Sequence, residues 1–392
     1  MLKKTIRDIN VVRKKVLVRV DFNVPLDKEG KIVDDTRIIE ALPTIRYLLE
    51  KEAKIILMSH LGRPKGKIVE KLRLEPVGRR LAELLNQHIL ILQDCVGDDI
   101  EKKVNEMEEG DIVLLENLRF HKEEEENNHE FARSLARLAE IFVNDAFATS
   151  HRAHASTERI THFLPSVAGL LMEKEILNLS KILKKPDRPF IFIVGGAKIS
   201  TKIFVIRNLI EKVDKLLLGG ALVNTILRAQ GFGVGKSLIE NEMILEAKEL
   251  LGYIKQGKLV LPQDFIVATE PTGEAVSRIV QIADIKDDEM ILDIGPKTIS
   301  FYKNYIEKAK TIVWNGPMGM FEIMKFANGS YEIARVIAES KGQTVIGGGE
   351  TLEIVKNLGL KERIGFISTG GGAMLEFLAG KKLPAIAVLE NK

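Results

Sequence analysis

Cysteine is almost missing from this chain of 392 residues, which contains Cys95 and no other. A single thiol excludes a disulfide framework and any metal site built from several cysteines, and it fits a protein of the reducing cytoplasm. An excess of charge is also missing, since the formal net charge is +3. That balance argues against a general nucleic-acid-binding protein, so any basic site must be local.

Long apolar runs are absent as well. The basic start, MLKKTIRDINVVRKK, lacks the apolar stretch of a secretory signal, and no apolar run approaches the length of a membrane span. We therefore expect a cytoplasmic protein with no membrane partner. The composition is that of an ordinary globular protein, with 45% hydrophobic and 29% charged residues, and the length suits two domains.

Short apolar strands alternate with amphipathic helices through the first half of the chain. This alternation predicts a parallel sheet covered by helices on both faces, and ligands bind such sheets beyond the carboxyl ends of the strands. The predicted strands are residues 16–24, 54–60, 88–92, 111–119 and 141–147, and the predicted helices are residues 35–50, 75–86 and 128–140.

Arginine, histidine and other polar residues follow these strands. They include Asp21 and Asn23, His60 and Arg63, Arg119, Arg152, and Arg37 at the start of the first helix. Each arginine alone could form a surface ion pair, and each of the others could serve a loop or a cap. Their common place at strand ends instead predicts a site for a small, strongly anionic ligand, because arginine binds carboxylate and phosphate groups with two hydrogen bonds.

Three histidines of this half, His60, His151 and His154, raise the question of a zinc site. They form no HExxH motif and have no carboxylate at ligand spacing, so a structural metal site is not expected there. The acidic run at residues 123–126 is interpreted as the solvated start of a helix.

A proline-marked stretch separates the two halves. Pro165 breaks the chain, residues 168–183 have the pattern of a long helix, and the polar exit KKPDRP ends at Pro189. One helix between two domains is a natural hinge.

The second half repeats the alternation, with glycines in its turns. The predicted strands are residues 190–194, 215–218, 258–261, 290–294, 311–314, 344–346 and 363–367. Any one glycine turn could be an ordinary helix entry. Six on one edge favour a nucleotide pocket, because glycine lets the backbone approach a ligand closely and offers N–H donors.

Residues 190–202, FIFIVGGAKISTK, contain the most informative of these turns. A buried strand, two glycines and a helix start predict an anion site, because free backbone N–H groups and the positive helix end meet there. Lys198 and Lys202 are four residues apart and are expected on one face of that helix. Two lysines there are unfavourable unless an anion binds them, and the alternative is a pair of solvated surface lysines.

Two other motifs have less support. Residues 231–237, GFGVGKS, resemble a Walker A loop, but Gln230 stands where the first glycine is required and a helical pattern precedes the motif. No GxGxxG motif follows a strand with an acidic residue about twenty positions later, so a dinucleotide-binding domain is weakly supported.

The motifs considered together resemble one family. VRVDFNVP, HLGRP, ENLRF, NDAFATSHRAHAST, GGAKISTK, WNGPMG, GGGET and STGGGA occur in this order between residues 18 and 373, and the set resembles the phosphoglycerate kinase family. The resemblance implies reversible phosphoryl transfer from 1,3-bisphosphoglycerate to ADP, giving 3-phosphoglycerate and ATP, with Mg²⁺. It also implies a monomer whose two lobes close about a hinge.

The resemblance implies a domain plan as well. The fold would be α/β, with two doubly wound, Rossmann-like parallel-sheet domains. Residues 1–167 would bind 3-phosphoglycerate, 168–186 would form the interdomain helix and hinge, and 187–369 would bind the nucleotide. Residues 370–392 would return to the first domain.

Site residues follow from the same motifs. Those matched to the phosphoglycerate site are Asp21, Phe22, Asn23, Arg37, His60, Leu61, Gly62, Arg63, Arg119 and Arg152. Those matched to the nucleotide site are Gly195, Gly196, Lys198, Lys202, Gly219, Gly220, Gly295, Asn315, Pro317, Glu322, Gly347, Gly348, Gly349, Glu350 and Thr351. Arg37 and Lys198 would be the catalytic residues that flank the transferring group.

One position departs from the family pattern. The family commonly has aspartate where this chain has Glu350, at the position expected to serve Mg²⁺. Glutamate is one methylene longer, and Mg²⁺ requires oxygen ligands at about 2.0–2.1 Å in octahedral geometry. Direct ligation and ligation through water both remain open.

Other functions remain open at this point. The chain could be another two-lobed ATP-dependent enzyme that forms an acyl phosphate, or a dehydrogenase. It could also be a non-catalytic anion-binding or nucleic-acid-binding protein, although the near-neutral charge argues against nucleic acid.

Overall fold

The structure is a computed structural model that describes residues 2–392. The chain divides into two compact units. The first unit runs to Leu177 and also includes Lys382–Lys392, and the second unit is Asn178–Lys381. No helix among the described residues combines the length and apolar character needed to cross a bilayer.

The first unit is built on a parallel sheet of six strands in the order β3-β4-β2-β1-β5-β6. The strands are β1 (Lys15–Arg19), β2 (Lys54–Met58), β3 (Leu90–Ile91), β4 (Ile112–Leu114), β5 (Ile141–Asn144) and β6 (Ser166–Ala168). The helices of this unit are α1 (Thr36–Leu49), α2 (Glu75–Leu85), α3 (Asp98–Asn105), α4 (Lys122–Glu125) and α5 (His129–Ala136). Helix α6 (Leu170–Lys184) continues from this unit into the second.

The central strand β1 shows why helices cover both faces of this sheet. Val16 and Val18 belong to one hydrophobic cluster, which also contains Ile38 of α1. Leu17 between them belongs to a second cluster, which contains Leu135 of α5. Successive side chains of a strand point to opposite faces, so the apolar run Val16–Val18 of β1 needs a helical layer on each side.

The observed strands end earlier than predicted, because polar side chains take over the hydrogen bonds at their carboxyl ends. The predicted strand 16–24 ends at Arg19, and Asp21 then accepts the N–H of Asn23 at 3.2 Å. The predicted strand 111–119 ends at Leu114, and Asn117 accepts the N–H of Arg119 at 3.1 Å.

The second unit contains another parallel sheet of six strands, in the order β15-β14-β13-β7-β8-β9. The strands are β7 (Phe190–Val194), β8 (Lys215–Leu218), β9 (Leu259–Val260), β13 (Thr311–Asn315), β14 (Gln343–Gly347) and β15 (Phe366–Ser368). The strands inserted between β9 and β13 are β10 (Phe265–Ala268), β11 (Ser277–Val280) and β12 (Met290–Ile294).

Strand β12 corrects one prediction. Residues 290–294 were expected among the parallel strands, but β12 pairs antiparallel with β10 in a separate three-stranded sheet, β11-β10-β12. The apolar run that predicts a buried strand does not reveal the strand's direction or its partner. The predicted α/β class with two parallel sheets is otherwise confirmed.

Helices accompany the strands of the second unit in the expected alternation. They are α7 (Ile203–Leu209), α8 (Leu222–Ala229), α9 (Ile244–Lys248), α10 (Leu251–Lys255), α11 (Pro296–Ile306), α12 (Asn328–Glu339), α13 (Gly349–Asn357) and α14 (Gly372–Leu378). Residues 231–237 follow α8 and not a strand, so they lack the setting of a Walker A loop.

The end of the chain returns to the first unit, where helix α15 (Pro384–Ala387) lies. The N–H of Lys4 donates to the carbonyl of Glu390 at 2.9 Å, and the N–H of Glu390 donates to the carbonyl of Ser166 at 3.0 Å. The observed division differs from the predicted segment 370–392, since it begins at Lys382. Residues before that point pack in the second unit, where Lys212 donates to the carbonyl of Ala379 at 3.2 Å.

Candidate functional site

The loops after β1 and β2 hold the first group of candidate residues. Asp21 is nearly buried and forms an ion pair with Nη1 of Arg37, which lies in the first turn of α1. Asn23 accepts the N–H of Gly62 through Oδ1 at 2.8 Å. These contacts join the two loops at the carboxyl edge of the sheet.

Arg19 lies beneath these loops and is only 1% exposed. Its Nε donates to Oγ of Ser156 at 2.9 Å, and its Nη2 lies 3.1 Å from Nδ1 of His60. Ser156 in turn donates to Oε1 of Glu124 at 2.6 Å. A buried guanidinium is thus held by a hydroxyl, an imidazole and a nearby carboxylate.

The contact with Arg19 also determines the state of His60. Guanidinium groups only donate hydrogen bonds, so Nδ1 of His60 must accept and its ring proton must be on Nε2. Burial, followed by the charges of Arg19 and Arg119, holds the pKa of His60 well below its usual value. His60 is therefore a neutral side chain with one N–H donor.

Three more arginines complete what we call the arginine cluster, namely Arg19, Arg37, Arg63, Arg119 and Arg152. Arg119 is 4% exposed and donates to the carbonyl of Gly62 at 2.8 Å, with Nε 3.2 Å from a carboxylate oxygen of Glu125. Arg63 is exposed, and neither Arg63 nor Arg152 forms an ion pair with another residue in the described part of the chain. The cluster therefore carries uncompensated positive charge.

Two of the predicted substrate residues, Phe22 and Leu61, have buried side chains that belong to the hydrophobic core. The N–H of Phe22 donates to Oγ of Ser59 at 2.9 Å, and the N–H of Leu61 donates to Oδ1 of Asn117 at 3.2 Å. They shape the site through the backbone.

Sequence reasoning missed the residues behind the cluster: Arg19, Ser59, Asn117, Glu124 and Ser156. A signal for Arg19 was present, because it is a charged residue at the end of the apolar run Val16–Val18. Glu124 corrects the interpretation of residues 123–126 as solvated. It lies in α4, but it is fully buried, since Ser156 and the neighbouring Arg19 stabilise its charge.

The second unit contains a cavity of about 300 Å³ at the turns that follow β7, β8 and β13. Its wall is mainly apolar and includes Leu238, Met290, Leu292, Met318 and Met320, none of which was predicted. The predicted residues that line it are Gly196, Gly220, Pro317, Glu322 and Glu350. A flat apolar group with a charged tail fits such a wall.

The glycines of these turns do not supply free donors, contrary to the prediction. The N–H groups of Gly195 and Gly196 donate to the carbonyls of Asn315 and Pro317, both at 2.9 Å. The N–H groups of Gly219 and Gly220 donate to the carbonyls of Val194 and Met318, at 3.0 and 2.8 Å. The glycines are needed for close packing, because a Cβ at Gly195, Gly219 or Gly220 would collide with residues 316–318.

The two lysines are not on one helix face, which corrects another prediction. Helix α7 begins at Ile203, so Lys198 lies in the loop before it, exposed, and Lys202 is its half-buried N-cap residue. Among the described residues the backbone N–H groups of Ala197 and Lys198 donate no hydrogen bond. The free donors therefore precede the helix by several residues.

Lys202 reaches across to β13, where its Nζ donates to Oδ1 of Asn315. Asn315 then donates to the carbonyl of Gly347 at 2.6 Å, at the end of β14. Burial lowers the pKa of Lys202 to about 8, although the nearby Glu350 carboxylate acts in the opposite direction.

The turn Gly347, Gly348 and Gly349 leads into α13, whose first turn contains Glu350. The next residue, Thr351, is buried and accepts the N–H of Gly316 at 2.7 Å. This places Glu350 beside Glu322 at the cavity. Burial and the negative charge of Glu322 raise the pKa of Glu350.

Gly295 is not brought to the cavity. Its N–H donates to the carbonyl of Asp264 at 2.8 Å, and the Asp264 side chain occupies the space where a Cβ would lie. Gly295 instead precedes α11, whose first N–H groups bind the Asp264 carboxylate, as from Thr298 at 2.8 Å.

The carboxylates of Glu322 and Glu350 suit Mg²⁺, since it prefers oxygen ligands and retains several waters. Both are exposed at the cavity, so a hydrated ion can reach them.

Comparison with known proteins agrees with the fold and the motifs. The family model described as phosphoglycerate kinase matches residues 6–381. The chain is 51% identical over 394 residues to the phosphoglycerate kinase of Moorella thermoacetica and 52% identical over 398 residues to that of Dictyoglomus turgidum, with 100% of each chain covered.

Solved structures give the same result. The structure of the phosphoglycerate kinase of Coxiella burnetii superposes on this chain with a TM-score of 0.85 at 41% identity. The alignment covers 98% of both chains. The structure of the phosphoglycerate kinase of Pyrococcus horikoshii gives a TM-score of 0.84 at 36% identity, with 99% of this chain and 98% of that chain covered. This protein therefore belongs to the phosphoglycerate kinase family.

Proposed function

We propose that the arginine cluster and the cavity of the second unit divide the family's reaction between them. The enzyme transfers a phosphoryl group reversibly between 1,3-bisphosphoglycerate and ADP, giving 3-phosphoglycerate and ATP, a step of glycolysis. Another acyl-phosphate-forming enzyme is not favoured, because the family match extends over nearly the whole chain.

The arginine cluster would bind the phosphoglycerate. The observation that carries this assignment is the unpaired positive charge of Arg63 and Arg152 in a site that also contains the neutral donor His60. A carboxylate and a phosphate together supply the negative charges that such a cluster lacks. Asp21 and Asn23 would position the ligand by orienting Arg37 and the Gly62 backbone.

The cavity would bind the nucleotide. Its apolar wall suits a purine base, and the phosphates would extend toward Lys202, Asn315 and the turn Gly347–Thr351. The free N–H groups of Ala197 and Lys198 are further donors on the same side. A purine explains why the wall contains methionines, which adapt their shape to a flat ligand.

Mg²⁺ would bind beside the phosphates through Glu350, directly or through water, with Glu322 nearby. When bound, it neutralises charge on the nucleotide phosphates.

Phosphoryl transfer requires that the two substrates are positioned and that the negative charge of the transferring group is stabilised. It does not require a covalent enzyme intermediate. An oxygen of the ADP β-phosphate attacks the acyl phosphate, the bond from phosphorus to the acyl oxygen breaks, and the carboxylate of 3-phosphoglycerate leaves. Arg37 and Lys198 would stabilise the charge on the transferring group. We further propose that helix α6, which belongs to both units, serves as the hinge for closure that excludes water.

Finer properties complete the proposal. The protein is expected to act in the cytoplasm and as a monomer, without a nucleic-acid or membrane partner. The balanced charge supports the absence of a nucleic-acid partner.

A coupled assay with 3-phosphoglycerate, ATP and Mg²⁺ tests the function directly. We expect ADP formation that depends on all three components. ATP consumption that does not depend on 3-phosphoglycerate would overturn the proposal, and so would reduction of a nicotinamide cofactor without any use of ATP.

A further inference from the structure

Three different metal-binding groups meet in the first unit, beside the segment that carries Arg119 of the arginine cluster. A carboxylate oxygen of Asp94, the sulfur of Cys95 and a ring nitrogen of His121 all lie within 4.8 Å of one another. Asp94 and Cys95 follow strand β3, and His121 follows the short helical turn Leu118–Phe120 beyond strand β4. Strands β3 and β4 are paired, which brings their carboxyl ends together.

The three side chains are already arranged around a common point. Nε2 of His121 lies 2.7 Å from Oδ1 of Asp94, and the same oxygen accepts the N–H of Cys95 at 2.6 Å. The imidazole stacks on Phe131 with ring centroids 5.2 Å apart, which fixes its plane. These contacts hold the Asp94 and His121 side chains close to Cys95 before any ion binds.

Burial differs across the group in a way that suits an ion arriving from solvent. Cys95 is fully buried and belongs to the hydrophobic cluster that contains Leu17. The side chains of Asp94 and His121 are 51% and 28% exposed. The sulfur thus forms the inner end of the group, and the carboxylate and imidazole form its open side.

We propose that Asp94, Cys95 and His121 form a binding site for one thiophilic divalent cation such as Zn²⁺. Sulfur, imidazole nitrogen and carboxylate oxygen are the ligands of Zn²⁺, at about 2.3, 2.0–2.1 and 2.0–2.2 Å. A tetrahedral ion holds such donors roughly 3.3–3.7 Å apart, so the exposed side chains of Asp94 and His121 need to move by about 1 Å. A water molecule fills the fourth position.

Binding of the ion releases one proton. Cys95 loses its thiol proton to solvent and becomes the thiolate ligand. Mg²⁺ and Ca²⁺ do not compete, because they take oxygen ligands.

The ion joins the loop after β3 to the segment that carries Arg119, two residues before His121, so it stabilises the edge of the arginine cluster.

The test uses the full-length, metal-free protein and Co²⁺ as a spectroscopic probe of zinc sites. We expect one Co²⁺ per chain, with the near-ultraviolet absorption of a thiolate–cobalt bond, removed by equimolar Zn²⁺ and unaffected by millimolar Mg²⁺. Absence of that absorption at millimolar Co²⁺ would overturn the proposal.

Variants locate the site. Cys95→Ser should abolish the thiolate absorption, and His121→Gln should weaken Co²⁺ binding at least tenfold. His129→Gln is the matched control, because His129 also contacts a carboxylate, that of Glu130 at 2.9 Å, but has no thiol nearby. An unchanged affinity in His121→Gln would overturn the assignment.

Two measurements keep the test decisive. If circular dichroism shows that Cys95→Ser does not fold, Asp94→Asn takes its place and should also weaken Co²⁺ binding at least tenfold. The coupled kinase assay is run in parallel with Mg²⁺ alone, where all these variants should remain active. Loss of metal binding and failure of the kinase function are therefore separate results.

Discussion

Nη2 of Arg19 lies 3.1 Å from Nδ1 of His60, and both side chains are buried beneath the loops of the arginine cluster. This contact makes His60 an acceptor toward the protein interior and leaves its Nε2–H as the only donor for a ligand. Because burial and the arginines keep its pKa low, His60 stays neutral at physiological pH. The contact therefore links a residue that touches no ligand to one that is proposed to bind it.

Arg19→Met should destabilise the protein by about 3–5 kcal/mol, because the Glu124 carboxyl would remain buried without its positive neighbour. Burial raises the pKa of Glu124, and loss of Arg19 raises it further, so the folded state holds its proton more tightly than the unfolded chain. The stability of this variant should therefore decrease as pH rises from 5 to 8.

Urea unfolding followed by circular dichroism at both pH values measures this effect. Adding Glu124→Gln should remove the extra pH dependence. An equal loss of stability at pH 5 and pH 8 would show that Glu124 is not the cause.

Arg63→Ala should raise the KM for 3-phosphoglycerate at least tenfold and leave the KM for ATP nearly unchanged. Arg63 is exposed and unpaired, so its charge is available to the ligand alone. Lys67→Ala removes another exposed charge from the same loop and should change neither constant. A higher KM for ATP in Arg63→Ala would mean that the two binding sites are assigned to the wrong units.

Lys198→Ala should reduce kcat by about 10²–10³-fold with a much smaller change in the KM for ATP, if its charge acts mainly on the transferring group. Lys236→Ala is the matched control, since Lys236 is another exposed lysine of the second unit and lies in the GFGVGKS stretch. It should leave kcat unchanged. Steady-state kinetics in which kcat and KM change equally would make Lys198 a binding residue only.

The pKa of Lys202, lowered to about 8 by burial, predicts a pH effect on nucleotide use. Lys202 is charged below pH 8 and neutral above it, so kcat/KM for ATP should decrease above about pH 8, by up to tenfold per pH unit. Lys202→Arg retains the charge and should lack this decrease, whatever its absolute activity. A pH profile of kcat/KM that is identical in both proteins would remove Lys202 from phosphate binding.

Glu350→Ala should raise the Mg²⁺ concentration for half-maximal activity at least tenfold, because a carboxylate beside the phosphates would be lost. Glu350→Asp restores the residue common in the family and should keep the wild-type requirement. Glu353→Ala, one turn further along α13 and exposed, is the control. Titration of activity with Mg²⁺ that gives one midpoint for Glu350→Ala and wild type would show that Glu350 does not serve the metal.

The sequence by itself determined the two parallel sheets and the residues that follow their strands. Alternating apolar strands and helices leave few other arrangements, and the carboxyl ends of parallel strands meet at one edge. The loops that carry Asp21, Arg63 and Arg119 were therefore predictable as neighbours, as were the turns at Gly196, Gly220 and Gly348. The roles of these residues stay predictions until the variants are measured.

Only the tertiary structure decided how the side chains and backbone donors are used. Local pattern gave no sign that the N–H groups of Gly195, Gly196, Gly219 and Gly220 are occupied, that α7 starts after Lys198, or that β12 runs antiparallel. Each of these depends on contacts that a local pattern does not show. The same reason hid the buried contacts of Arg19 and Glu124 and the meeting of Cys95 with His121, 26 residues later in the chain. Periodicity reports which face a residue lies on, whereas hydrogen bonds and burial depend on what packs against that face.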